Sequence, residues 1–129
     1  MRAALLILLG LAIGAIGTVF AMNALKDRNP MPHAVMTVMS HHFGQLRNAV
    51  KAQQCDAAKT QKQLGTLLAV SGDIGPAFAG VEQPFLDAAD KLHSAIQSAA
   101  VAAPTDCQAL AAAIKPVGEA CESCHRQYH

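Results

Sequence analysis

The feature that most constrains this chain is the pentapeptide Cys121-Glu122-Ser123-Cys124-His125. C-x-x-C-H is the attachment sequence of a c-type haem: two thiols add across the vinyl groups of the ring, and the adjacent imidazole becomes an axial iron ligand. The spacing suits a helix, where cysteines three apart share a face about one turn from each other, and a histidine directly after the second can swing beneath the ring. The same residues could instead form a redox dithiol or half a zinc site. Against these stand the lack of a second C-x-x-C to complete four zinc ligands and of a βαβ pattern for a thioredoxin-like protein.

Composition then bounds the fold. In 129 residues, 52% hydrophobic content with 4% aromatic residues and no tryptophan implies an alanine- and leucine-rich, helical interior. A domain this small gains stability from an apolar ring bound in its middle. A formal charge of +1 leaves no basic footprint for nucleic acid and no polyacidic surface.

After Arg2, residues 3–22 carry no charge, the mark of an exported protein entering a membrane translocation route. Val19 and Ala21 suit small-residue cleavage, yet about 20 apolar residues can also span a bilayer. The expectation is a signal anchor over residues 1–24 that stays uncleaved, with a cleaved and soluble protein as the alternative. Gly10 and Gly14 form a G-x-x-x-G step that could pair two such helices, although such a pattern occurs by chance in alanine- and glycine-rich signals. Residues 25–32, with Lys26, Asp27 and Arg28 followed by Asn29-Pro30-Met31-Pro32, read as a linker and helix start.

The domain from residue 33 to 129 shows four helical patterns. Met36, Met39, Phe43, Leu46 and Val50 recur at three, four, three and four. Cys55-Asp56 opens a second helix with Leu64, Leu67 and Leu68 on one face, fading at Ser71-Gly72-Asp73. Ile74, Phe78 and Val81 lie in a loop punctuated by Gly75-Pro76 and Gly80, apolar enough to be a flap over something buried, a haem edge among the candidates. Pro84 starts a third helix with Phe85, Ala89, Leu92 and Ile96 inward. Pro104-Thr105-Asp106 breaks it and caps a fourth with Leu110, Ile114, Val117 and Cys121 on one face. Pro116 should kink or divide that last helix, since it removes a backbone donor and clashes one turn back.

Short connections between four helices argue for an all-α, antiparallel up-down-up-down bundle behind the N-terminal hydrophobic segment. Alternating direction puts the start of the first bundle helix, with Met36, level with the end of the fourth, and the starts of the second and fourth helices together at the opposite end. That brings Cys55 near Cys107, so a Cys55–Cys107 disulfide is expected in an oxidising compartment, two free buried thiols being the alternative.

The chain resembles the cytochrome c′ family, the class II c-type cytochromes, over most of residues 31–129. The matching segments are Val117-Gly118-x-x-Cys121-x-x-Cys124-His125 and Met39-Ser40-His41-His42-Phe43-Gly44, at the right separation. The resemblance implies a four-helix bundle with one covalent haem c. In some members the iron is five-coordinate and takes small gases such as nitric oxide or carbon monoxide. In the low-spin cytochrome c-556 type, a methionine of the first helix is the sixth ligand and the protein carries electrons. By position, the distal residue falls on Met36, whose thioether is a suitable soft ligand for haem iron; Met36 could also simply fill the core, with Met39 in the same stripe. His33 is a weaker candidate, and His41, His42 and His93 read as surface or half-buried residues.

Two positions depart from the family's pattern. Pro32 stands where an arginine often approaches the haem propionates, with Arg28 a further turn away, and His129 stands where a basic residue often follows the haem histidine by four. Arg126 reads as a surface cation favourable to the helix dipole.

The resulting expectation is an electron carrier rather than an enzyme, periplasmic and tethered to the inner membrane, with Cys121, Cys124, His125 and Met36 at its haem and periplasmic or membrane redox proteins as partners. Homodimerisation through the first two bundle helices is a further implication of the resemblance. The alternatives are a gas-binding cytochrome c′ and a haem-free thiol or zinc protein.

Overall fold

The computed structural model describes residues 2–26 and 29–128, with side chains over residues 7–24 and 29–128. Readings that fall on Met1, Asp27, Arg28 and His129 lie outside the described residues. Among the described residues the chain is all-α, without strands. It divides into two compact units, Met1–Pro30 and Met31–His129.

The first unit is the single helix α1, Arg2–Lys26. At 1.5 Å per residue it is about 37 Å long, more than the roughly 30 Å of a bilayer's hydrocarbon core. Ile7–Ala24 has a mean hydropathy of 2.0, and its large side chains, from Ile7 to Phe20, are exposed. It is long and apolar enough to cross a membrane, by length and composition. Thr18 Oγ1 returns a hydrogen bond to the Gly14 carbonyl at 2.8 Å, which lets a hydroxyl lie in an apolar helix without an unpaired donor.

The second unit is a bundle of α2 (Met31–Ala52), α3 (Ala57–Ser71), α5 (Gln83–Ala102) and α6 (Cys107–Gln127), with the single turn α4 (Ile74–Ala77) between the second and third. Each long helix packs on its neighbours in the chain, and α6 returns to α2, closing a ring. Leu46, Leu64, Leu67, Ile74, Ile96, Leu110 and Val117 fill the middle and are almost wholly buried. Each such side chain contributes about 1.5–3 kcal/mol relative to exposure.

Local chemistry sets the helix ends. Asp56 and Asp106 are extended N-cap residues whose carboxylates accept from Lys59 N–H and Ala109 N–H at 2.8 Å. Such a cap is worth about 1 kcal/mol. Two reversals use left-handed residues that are not glycine: Gln53 at φ 55° after α2, held by Gln54 N–H to Ala49 O at 2.9 Å, and Ala103 at φ 44° capping α5. Pro104, buried directly after Ala103, blocks any continuation of α5.

Three expectations about elements change. The first bundle helix starts at Met31 rather than residue 33, because a proline in the first turn lacks only a donor that would be unpaired there anyway. The segment over residues 74–81 is not all loop, since Ile74–Ala77 close one helical turn with Ile74 and Ala77 buried. Pro116 does not divide the fourth helix: α6 runs through it, with both Pro116 and Ala112, whose carbonyl loses its donor, on the solvent side where water can satisfy it.

Cys55 and Cys107 are joined by a disulfide, their Cα atoms 5.2 Å apart, tying the turn before α3 to the first residue of α6. Closing a loop with a sequence separation of 52 restricts the unfolded chain by about 4 kcal/mol in the loop-entropy account.

Candidate functional site

The ring of helices is not equally tight all round. Between α2 and α6 lies a cavity of about 1070 Å³, just above the roughly 300–1,000 Å³ of small-molecule and cofactor sites. From α2 it takes Met36, Met39, Phe43 and Val50, a stripe at helical spacing, and from α6 Ile114, Val117, Gly118 and Cys121, a second such stripe facing the first. Leu67 of α3, Ile74 of α4 and Leu92 of α5 form its back wall. The apolar segment after α3 thus supplies a wall residue, Ile74, to this space.

All four residues expected at a haem line this one cavity: Met36 from α2, and Cys121, Cys124 and His125 from the last two turns of α6. They come together because α2 and α6 are neighbours and the disulfide fixes Cys107 beside the far end of α2. The cysteines are half-buried with free thiols. Burial pushes the Cys121 thiol above the ordinary thiol range, the neighbouring Cys124 adds to that, and a backbone hydrogen bond opposes it. Burial likewise raises the Cys124 thiol. Both sulfurs are therefore held as neutral thiols at neutral pH, which disfavours the thiolate chemistry that would join them to each other.

The last turn is held from outside the cavity. Tyr128 N–H donates to Cys124 O at 3.0 Å, and its ring packs edge-on against Phe85 with centroids 5.2 Å apart. Phe85 in turn packs on Phe78 at 4.9 Å. This aromatic row ties the segment bearing Cys124 and His125 to α5 and to the turn after α4. Desolvation, then the nearby Cys124, Glu82 and Asp87, raise the Tyr128 hydroxyl above its usual value, keeping it a phenol.

The other histidines lie elsewhere. His42 is half-buried with Nδ1 bonded to Gln63 Oε1, and His93 Nδ1 meets Ser71 Oγ at 2.7 Å. The Ser71 hydroxyl also lies 2.8 Å from Leu68 O, to which it can donate. His33 and His41 are exposed, and none of the four lines the cavity. Arg126 is an exposed cation paired with Glu122 at 3.0 Å. Among the described residues no three His, Cys, Asp or Glu side chains converge on a point, so the zinc alternative has no ligand set there.

Sequence reasoning did not single out Gly118 or Phe43 as shaping this space. A Cβ on Gly118 would lie 3.3 Å from Phe43 Cζ, so glycine there lets the ring cross from α2 onto α6. The signal was present, since Gly118 and Phe43 both stand in the segments that carry the family resemblance, but spacing alone does not pair them.

The site fits a haem on the chemistry of its donors. Its walls are mainly apolar, two neutral thiols one turn apart open onto it, an imidazole follows the second thiol, and a thioether stands on the facing helix. Residues 80–129 match the family model described as Cytochrome C'. That stretch holds α5, α6 and the whole C-x-x-C-H sequence, and over it the resemblance to the cytochrome c′ family holds. No curated protein and no solved structure matches the chain.

Proposed function

We propose that the chain is an exported, membrane-tethered c-type cytochrome that carries single electrons, with one haem bound through Cys121 and Cys124, His125 as proximal ligand and Met36 as distal ligand. The observation that carries this reading is that these four side chains, from two helices, open onto a single apolar cavity. When bound, haem supplies a one-electron couple between ferric and ferrous iron, and His/Met ligation raises its potential.

The chain's own residues do the rest. Thioethers at Cys121 and Cys124 would fix the ring so that it does not exchange. His125 would donate a nitrogen from the α6 side and Met36 a sulfur from the α2 side. Leu67, Ile74, Leu92 and Ile114 line the same cavity and would exclude water from a bound haem and lower the local dielectric. Helix α1 supports export and a tether to the inner membrane, and the Cys55–Cys107 bridge suits an oxidising compartment such as the periplasm. Partners in this reading are periplasmic or membrane redox proteins.

The test is the optical spectrum of ferric and ferrous protein, with and without carbon monoxide, in the parent and in Met36→Ala. Low-spin spectra in the parent, turning high-spin and reactive to carbon monoxide only in the variant, are expected. A parent that is already high-spin and binds carbon monoxide readily would move the function to gas binding.

A further inference from the structure

The part of α6 that bears the haem donors is the part least held by the core. Val117 is the last fully buried residue of α6; beyond it Cys121 and Cys124 are half-buried, and residues 125–127 are exposed. The helix ends at Gln127, so His125 stands in its final turn. Helix ends fray, because their last carbonyls have no intrahelical partner. Thioethers at Cys121 and Cys124 would hold the ring whatever the last turn does, but no covalent bond to the ring would hold the His125 imidazole.

Tyr128 closes that turn in two ways. Its N–H donates to Cys124 O at 3.0 Å, the bond that encloses residues 125–127. Its ring packs edge-on against Phe85, with centroids 5.2 Å apart and the planes at 80°. Phe85 is 5% exposed, lies in the first turn of α5, and has Phe78 behind it at 4.9 Å. A side chain fixed in the core is a rigid platform, and a ring seated on it passes that rigidity to the end of α6.

We propose that Tyr128 is a positioning residue for the iron ligand: its ring, seated on Phe85, holds the last turn of α6 closed and so fixes the direction from which the His125 imidazole meets a bound haem. The proposal rests on the assignment of His125 as proximal ligand and adds what orients it. Groups around a ligating histidine commonly set its orientation; here the orienting group acts through the backbone of the turn rather than on a ring nitrogen. An electron carrier gains from this, because a ligand held in one geometry by packing has little to rearrange when the iron changes oxidation state.

The experiment compares full-length proteins in detergent: the parent, Tyr128→Ala, Tyr128→Phe, Phe85→Leu, and Ile96→Val as a change in the core at a residue that does not line the cavity. Amide hydrogen exchange at residues 125–127 is read first, with Cys121→Ser and Cys124→Ser present so that every chain is haem-free. Tyr128→Ala and Phe85→Leu are expected to speed this exchange about three- to tenfold, the worth of one edge-to-face aromatic pair. Tyr128→Phe, which keeps the ring, and Ile96→Val should match the parent. The ferric electron paramagnetic resonance signal of the haem-loaded proteins is read next, since its g values follow the orientation of the axial imidazole. It should be single in the parent, Tyr128→Phe and Ile96→Val, and spread over several g values in Tyr128→Ala and Phe85→Leu, with covalent haem mass unchanged throughout.

Unchanged exchange in Tyr128→Ala would mean that other contacts hold the turn. Faster exchange without a change in the ferric signal would mean that the clamp holds the turn but not the ligand. Either result overturns the proposal. So would an equal loss in Tyr128→Phe, which would give the role to the hydroxyl, or a spread signal in Ile96→Val, which would reduce the effect to general stability. Haem mass lost from Tyr128→Ala would place the residue in haem attachment instead, and would also overturn it. The electron-carrier reading fails separately: a parent that is high-spin and binds carbon monoxide ends that reading, while the same variants still decide the clamp. A parent purified without covalent haem would sink both.

Discussion

Where α3 packs on α5, Leu64 and Ile96 are enclosed by protein on every side, each with 0% exposure. Across the bundle, between α2 and α6, Met36, Phe43 and Val50 are only half-buried and face a space of about 1070 Å³. Both stripes have the same three-four spacing and the same kinds of side chain. An apolar stripe therefore states that a face must be shielded from water; it does not state what shields it. On the closed side the shield is another helix, and on the open side the donors point to a flat apolar ring.

The largest expected effect falls on the open side alone. Replacing both cysteines, Cys121→Ser with Cys124→Ser, should abolish covalent haem, so that intact mass under denaturing conditions shows the bare chain where the parent carries the added haem. The helical far-ultraviolet signal should remain, because the core residues Leu46, Leu64, Ile96 and Leu110 are untouched. Haem mass retained by the double variant would break the assignment of the open side. Loss of helix together with haem would show that the two sides are not separable.

The next effect contrasts the sides directly. Leu64→Ala removes an enclosed side chain and should cost about 2–5 kcal/mol, through lost burial and the cavity left behind. Urea denaturation should show that cost in the haem-loaded protein and in the Ser double variant alike. Phe43→Ala on the open side should cost less than half as much in the haem-free chain, since half of its surroundings are already empty, and should cost more once haem is present. Equal costs for Phe43→Ala with and without haem would mean that the ring does not pack where the cavity is.

Much of this organisation is legible in the sequence because it rests on local chemistry. The aspartate caps at Asp56 and Asp106 and the prolines near helix starts each name their structural role. Less legible is whatever depends on the side from which a neighbour approaches. Met36 and Phe43 share one sequence seam with Leu46, yet Leu46 is in the core while the other two face the cavity; Val35, absent from that seam, is buried. Pro116 reads as a kink or a division by its missing donor, but its exposed position on α6 lets the helix run on through it. The left-handed turn at Ala103 has no glycine to announce it, and the buried Pro104 behind it enforces the stop.

The smallest effect separates two glycines on the two sides. Gly65, on the exposed face of α3, has nothing within 4 Å of an added Cβ, whereas at Gly118 of α6 that atom meets Phe43 Cζ at 3.3 Å. Alanine in a helix interior is favoured over glycine by about 0.5–1 kcal/mol, so Gly65→Ala should raise stability by that amount with or without haem. At Gly118 the same gain is opposed by the contact, and the phenyl ring can yield only towards the cavity, because α2 lies behind it. Gly118→Ala should then be near neutral in the haem-free chain but should lower stability once haem fills the space into which Phe43 has turned. The sign change between the two forms, read by parallel urea titrations, is the measurement. A gain at Gly118 equal to that at Gly65 in the haem-loaded protein would mean that Phe43 and the ring do not compete for the same volume, and the open side would need a different occupant from the one its donors indicate.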